Sequence, residues 1–251
     1  IRRNFDLISR TFSYPATELK SFPLSKKSWL GQSSTVIPGF GTSYVDIDAE
    51  ESELNFRVSP NLGVNLRQVV SALNRYPYGC IEQTTSSVFP QLHLDKVMDL
   101  SLKQKRRIIE NITRGISRIT KFQTDRGGFS YWPGGTTPNN WGSNYAGHFL
   151  LEAKAAGYKV PNHLLDNWVS YQKREAKRWR YIGNYSWEYN TQAYRLYVLA
   201  KAGHADFASM NYMKSKPNLN TLSKWRLAAA YAMAGQVDVA KEITSSLTTD
   251  I

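Results

Sequence analysis

A single cysteine stands in 251 residues, at position 80. That excludes an intrachain disulfide framework and leaves the fold to be held by its core. Acidic side chains are scarce too: 20 Asp and Glu against 32 Lys and Arg give a formal net charge of +12. Such an excess can attract nucleic acid or an anionic membrane surface. No zinc-finger spacing, RNP-like run or basic-aromatic stripe gathers it into one place, so it reads as a generally basic surface with no nucleic-acid partner. The four histidines, His93, His148, His163 and His204, lie far apart. None has a second His or a Cys at ligand spacing, so neither a metal site nor a cofactor is expected. A phosphate-cradling Gly loop and a Gly-x-Ser-x-Gly elbow are both missing. No apolar run is long enough to span a bilayer, and there is no initiator Met or secretory h-region. The chain, beginning at Ile1, is expected to be a piece of a larger protein whose targeting signal lies upstream.

Hydrophobic residues at 41% and aromatics at 13% are enough for a real core. The chain is organised around Arg75-Tyr76-Pro77-Tyr78-Gly79-Cys80-Ile81-Glu82-Gln83-Thr84-Thr85. Cys80 and Gln83 are three positions apart, the spacing at which two side chains meet on one face of a helical turn. A thiolate set against a carboxamide can attack its carbonyl and expel ammonia, leaving a strained thioester that passes its acyl group to an incoming nucleophile. Gly79 permits a left-handed or close-packed backbone and Pro77 fixes φ, which together make a rigid corner leading into a helix. At a helix N-terminus the macrodipole favours a thiolate. Tyr76 and Tyr78 are placed to cover the ring against water. On spacing alone, the competing reading is that Cys80 is a small buried hydrophobe.

The contiguous run Tyr76-Pro77-Tyr78-Gly79-Cys80-Ile81-Glu82-Gln83-Thr84-Thr85 resembles the thioester signature of the alpha-2-macroglobulin and complement family, most closely its bacterial branch. The resemblance implies an internal thioester between Cys80 and Gln83. It places Tyr76, Pro77, Tyr78, Gly79, Glu82 and Tyr189 among the residues that support or shield the bond. It implies a single-use covalent trap rather than an enzyme: a lysine of a target protease takes the acyl group in an isopeptide link, and the Cys80 thiol is freed. A periplasmic, cell-envelope or extracellular location and a role in bacterial defence follow from the same resemblance, as do partners among target proteases and other domains of the full-length protein. The single cysteine fits a bacterial origin.

Two departures from the family qualify this. Complement-type members carry a His before an inner helix that directs transfer to hydroxyl groups. The corresponding stretch here, Trp187-Glu188-Tyr189-Asn190-Thr191-Gln192, has none, so direct attack by amines is implied. The family's Trp-Leu-Thr-Ala-Tyr run is altered to Trp141-Gly142-Ser143-Asn144-Tyr145.

Along the chain, residues 1–62 read as a β-rich segment. Thr35-Val36-Ile37, Tyr44-Val45-Asp46-Ile47 and Glu53 to Val58 are the strand-like pieces, and by resemblance the segment is part of a CUB-like flanking domain. From Leu66 the period becomes helical, and residues 63–251 are expected to form the thioester-containing domain. Lys103 to Lys121 is the clearest amphipathic helix, with Ile108, Ile109, Ile112, Ile116 and Ile119 as its stripe and Arg114 and Arg118 on a solvated face. The loop Gly127-Gly128-Phe129-Ser130-Tyr131-Trp132-Pro133-Gly134-Gly135 carries aromatics that need burial, and resembles a family turn that precedes a buried helix.

Three Ala-rich segments, Tyr145 to Tyr158, Ala193 to His204 and Ala228 to Gln236, are apolar nearly all round. Each closes on a glycine at a C-terminal cap: Gly157, Gly203 and Gly235. They read as inner helices alternating with more polar outer ones. Repeated pairs of that kind stack into a solenoid or ring. The fold class is therefore mainly α, and the resemblance makes it an α/α toroid with material for roughly four pairs, incomplete at the C-terminus. Two other functions stay open on the sequence: a glycosidase-like toroid enzyme drawing carboxylates from Asp125, Glu152 and Glu188, and a helical-repeat binding module in which Cys80 is inert.

Overall fold

The computed structural model describes residues 77–96, 99–183, 186–245 and 247, and the backbone of a strand pair. The chain divides into two compact units, 1–65 and 66–251. In the first, β1 (Ser33–Ile37) and β2 (Gly41–Val45) form an antiparallel ribbon, with Ser33 opposite Val45 and Ile37 opposite Gly41. β1 contains the strand-like piece Thr35-Val36-Ile37, and β2 overlaps the piece Tyr44-Val45-Asp46-Ile47 at Tyr44 and Val45, with Asp46 and Ile47 outside the described residues. The third piece, Glu53 to Val58, and the helical stretch from Leu66 lie outside the described residues, as does Tyr76.

The second unit is helical. Its described elements are α1 (Ile81–Val88), a 3-10 turn (Pro90–Lys96), α2 (Leu102–Thr120), α3 (Asn140–Ala155), α4 (Asn162–Arg178), α5 (Ser186–Lys201), α6 (Phe207–Lys214), α7 (Thr221–Met233) and α8 (Val237–Thr244). Pro90, which lacks an amide hydrogen, stands at the change from α1 to the 3-10 turn. Helices α1, α3, α5 and α7 pack on one another in sequence, and α2, α4, α6 and α8 lie against them. The described residues thus hold four inner and outer pairs.

The inner helices close as their sequences indicate. After α3, α5 and α7 the chain turns through Gly157, Gly203 and Gly235 at φ of +88°, +76° and +81°. Each time the amide after the glycine reaches back to the helix: Tyr158 to Ala153, His204 to Leu199 and Gln236 to Tyr231. This is the Schellman arrangement, which satisfies carbonyls that the helix leaves open. Apolar residues all round α5 are explained by its two neighbours. Tyr194 and Val198 join the core formed by α1 to α4, whereas Ala193, Leu196, Leu199 and Ala200 join the core formed with α6, α7 and α8.

Helix α2 buries Ile108, Ile112, Ile116 and Ile119, but Ile109 is 54% exposed. Asn111 and Gly115 complete the buried stripe instead. A Cβ on Gly115 would stand 2.8 Å from Val88 Cγ1; the glycine therefore sets how closely α2 approaches α1. The loop after α2 is tied down by Ser130 donating to the Phe122 carbonyl and Asn139 to that of Phe129. Its aromatics separate: Phe129 is fully buried, while Tyr131 and Trp132 are exposed. The expectation that all of them need burial is thus met by Phe129 alone.

Candidate functional site

Cys80 is the N-cap of α1, with φ −71° and ψ 176°. Its sulfur accepts from the Gln83 amide at 3.5 Å, and its own amide donates to Gln83 Oε1 at 3.0 Å. This is a capping box in which Cys80 takes the place usually held by Ser or Thr, and Gln83 the place of Glu or Gln. The consequence is chemical. The box sets Sγ and the carboxamide on the same turn, and the Cys80 N–H draws electron density from the carbonyl that the sulfur would attack. Cys80 is buried, and Gln83 is exposed.

Three neighbours hold this turn. Gly79 has φ of +92°, a conformation that disfavours any side chain. A Cβ there would also lie 2.9 Å from Gln83 Cδ and closer still to its oxygen. Arg118 of α2 donates from Nη2 to the Gly79 carbonyl at 2.9 Å and from Nε to Thr84 Oγ1 at 3.2 Å. Tyr131 accepts at its carbonyl from the Ile81 amide at 3.0 Å. The neighbouring Cys80 side chain, and after it the charge of Glu82, hold the Tyr131 phenol above its ordinary ionisation range. Beneath the corner, Ile81 is fully buried and fits against Gly142 of α3, where a Cβ would stand 2.5 Å from Ile81 Cγ2. The glycine in the altered 141–145 run therefore seats α1 on α3.

The other residues singled out in the sequence lie as follows. Pro77 is buried and Tyr78 is 68% exposed. Glu82 stands in the first turn of α1, where the helix dipole favours an acid. Tyr189 is buried in the second core, stacked on Tyr181 at 5.2 Å and edge-on to Trp179 at 6.3 Å. Its ring contacts are therefore to that core. Arg118 and Tyr131 are the residues that the sequence reading did not connect to Cys80. A trace of Arg118 exists in the row Asn111, Gly115, Arg118 along the edge of the apolar stripe, at helical spacing. Nothing in the spacing of Tyr131 marks it.

A second polar group lies between α3 and α5. His148 Nδ1 is 3.0 Å from Tyr194 Oη and its Nε2 is 3.4 Å from Glu152, which pairs with Lys201 at 2.6 Å. Burial pushes His148 down to about 4, against the pull of Glu152. Burial acts to raise Glu152, but the hydrogen bond and charge of Lys201 outweigh it and hold the carboxyl below its usual range. Glu152 is thus committed to an ion pair with Lys201. Among the described residues no group of three or more His, Cys, Asp or Glu side chains stands together as a metal site requires. Among them, too, no helix is long and apolar enough to cross a membrane.

A helix start built on Cys80 and Gln83 within stacked inner and outer helices defines a thioester-domain architecture, and comparison with known proteins agrees. Residues 54–179 match the family model described as the A-macroglobulin TED domain, and the chain belongs to the alpha-2-macroglobulin and complement thioester family. It is 34% identical over 136 residues to the alpha-2-macroglobulin of Escherichia coli K12, a match covering 52% of this chain and 8% of that protein. Its structure is similar to that of Salmonella alpha-2-macroglobulin reacted with methylamine, with a TM-score of 0.63 and 27% identity over 73% of this chain and 13% of the other. It is also similar to trypsin-activated alpha-2-macroglobulin from Escherichia coli, with a TM-score of 0.58 and 25% identity over 68% of this chain and 13% of the other. The mainly α fold is the helical toroid of that domain. The chain spans about a tenth of the length of such relatives, 8% in the Escherichia coli case.

Proposed function

We propose that this chain carries the thioester of a bacterial alpha-2-macroglobulin-like protease inhibitor, with residues 63–251 as the thioester domain and 1–62 as part of a β-rich neighbour. The observation that carries this reading is the capping box: Cys80 Sγ and the Gln83 carboxamide share one turn, with the Cys80 amide on the carboxamide oxygen. Attack of Sγ on Gln83 Cδ, with loss of ammonia, closes the ring. The amide that holds the oxygen before reaction also receives the negative charge on it during reaction, as an oxyanion donor does. An amine then attacks Cδ, the Cδ–Sγ bond breaks, and the acyl group stays on the amine.

The nucleophile in the intact protein is a lysine of the captured protease, in keeping with the trypsin-activated state of the Escherichia coli relative. The stretch 187–192 supplies no histidine to redirect transfer to hydroxyl groups. Each molecule acts once, so the protein is an inhibitor rather than a turnover catalyst. Its place is the periplasm or cell envelope, where foreign proteases are met. Glu82 favours the start of α1 through its charge, and Tyr76 and Tyr78 cover the ring.

The test is the intact mass of freshly purified protein before and after methylamine, with a thiol titration alongside. A closed ring is one ammonia lighter than the sequence requires; methylamine then adds its full mass and releases one thiol at Cys80. A mass corresponding to glutamate at position 83 marks a ring that formed and was hydrolysed. A mass equal to the plain sequence, unchanged by methylamine and with Cys80 already titratable, overturns the reading.

A further inference from the structure

We propose that Tyr131 and Trp132 form an aromatic corner that receives the positively charged nitrogen of the attacking amine, so that this loop selects amines over water when the thioester opens. The inference rests on the thioester reading above and deepens it. Tyr131 and Trp132 are 40% and 57% exposed, and large aromatics left in solvent beside one another mark a binding surface. Their rings meet edge-on, with centroids 5.7 Å apart and planes at 86°. Two faces at right angles bound an open corner in which one cation can touch both rings, each negative on its face.

The corner is tied to the start of α1. The Tyr131 carbonyl accepts from the Ile81 amide at 3.0 Å, and the helical rise puts Gln83 only about 3 Å further along the axis. Gln83 is itself exposed, so an amine comes to it from solvent. The loop is pinned around both rings. Ser130 Oγ donates to the Phe122 carbonyl at 3.0 Å and to that of Trp132 at 2.6 Å. The Gly134 amide donates to the Lys121 carbonyl at 3.0 Å, and that of Gly135 to Trp132 at 3.2 Å. Local charge favours the same occupant. The chain's net +12 repels cations at a distance, but Glu82 sets a carboxylate in the first turn of α1.

In the step itself, the amine attacks in its neutral form, having given one proton to solvent. As its lone pair bonds to Cδ of residue 83, the nitrogen becomes positive. The Cδ–Sγ bond then breaks with its electron pair remaining on Sγ, and the surplus proton passes from nitrogen to solvent. Ring faces set where that positive charge develops lower the barrier. Water sheds its proton as it attacks and leaves no comparable cation on its oxygen, so the corner does nothing for hydrolysis.

The experiment uses the full 251-residue chain and its Trp132→Leu and Trp132→Phe variants. Thiol release is timed with methylamine and in buffer alone. Leucine keeps an apolar cover and removes the π face. The expected result in Trp132→Leu is a roughly two- to fivefold slower release by methylamine, the worth of an exposed cation–π contact, with hydrolysis no slower. Trp132→Phe, which restores a face, recovers most of the methylamine rate. An equal change in both rates, as a mere cover would give, or no change in either, overturns the inference. If none of the proteins contains a thioester, the proposed function fails by itself, and a titration of the unaltered chain still decides the corner. Tetramethylammonium chloride is then compared with sodium chloride at equal concentration. A shift of the Trp132 indole N–H resonance with the quaternary cation alone upholds the site; equal shifts overturn it. Circular dichroism checks that each variant is folded.

Discussion

Arg118, in the last turn of α2, holds the carbonyl of Gly79 at 2.9 Å with one guanidinium nitrogen and the Thr84 hydroxyl at 3.2 Å with another. One side chain thereby grips both sides of the residue that carries the thiol, the glycine before it and the first turn after it. Arg118→Ala removes both bonds. The expected loss is about 1–2 kcal/mol of stability by urea unfolding, together with faster spontaneous release of the Cys80 thiol. Arg118→Lys restores charge but not the two-point grip, and its thiol-release rate is expected to stay close to that of the alanine variant.

Gly79→Ala addresses the other side of the corner. At φ of +92° an alanine is strained by roughly 1–2 kcal/mol. Its methyl would also enter the space of the Gln83 carboxamide, where Cδ is 2.9 Å away. The variant is expected to fold with a displaced Gln83 and to keep the plain sequence mass, with no loss of ammonia. A ring that closes normally in this variant would show that the glycine is dispensable.

Gly147 tests the approach of α3 to α4. A Cβ there would enter the ring of Trp168, whose indole nitrogen donates to the Ser143 carbonyl at 2.7 Å. Because Trp168 is fully buried, it has no room to withdraw. Gly147→Ala is expected to destabilise the helical unit by about 1–3 kcal/mol, read as a lower urea midpoint. Gly157→Ala meets no side chain; its penalty comes only from the backbone at φ of +88°.

His148 predicts a pH dependence. Its imidazole ionises at 6.5 when unfolded and at about 4 in the fold. The unfolded chain therefore binds the proton first as pH falls. Stability is full above pH 6.5 and declines toward pH 4, by on the order of 2–3 kcal/mol. Glu152, also held low, adds a loss in the same direction, but only below the carboxylate range near 4.5. The interval between pH 6.5 and 5 thus isolates the histidine. In His148→Gln the slope of the urea midpoint across that interval is expected to vanish.

What the sequence made legible was local. The closing glycines of α3, α5 and α7 announce themselves because a left-handed cap needs a residue without a Cβ. The turn at Cys80 is readable because its two partners are three positions apart. Alternation of apolar and polar helices followed from composition over a few turns, and the toroid from resemblance. The contacts that join α1 to the rest were hidden. Arg118 reads as one more cation in a basic helix, and only the fold brings it across to Gly79. Tyr131 reads as part of an aromatic loop in need of cover. Ile109 fits the stripe by count but misses the narrow face where Gly115 meets Val88. Tyr189 follows the same rule: a tyrosine near a family landmark can face either core, and packing decides that it faces Trp179 and Tyr181.

The capping box has one more consequence. Most helix caps are permanent, but here the two residues that open α1 are the two that the proposed chemistry consumes. If water opens the ring, position 83 becomes a carboxylate in the first turn, where the helix dipole and the Cys80 amide both welcome negative charge. If an amine opens it, an amide oxygen is again available to the Cys80 amide, as Gln83 Oε1 is at 3.0 Å. In both outcomes the discharged helix start is as well capped as the original, so opening the ring costs the helix none of its capping bonds. The element behaves as a fuse, and its blown state is the one that the helix is built to hold.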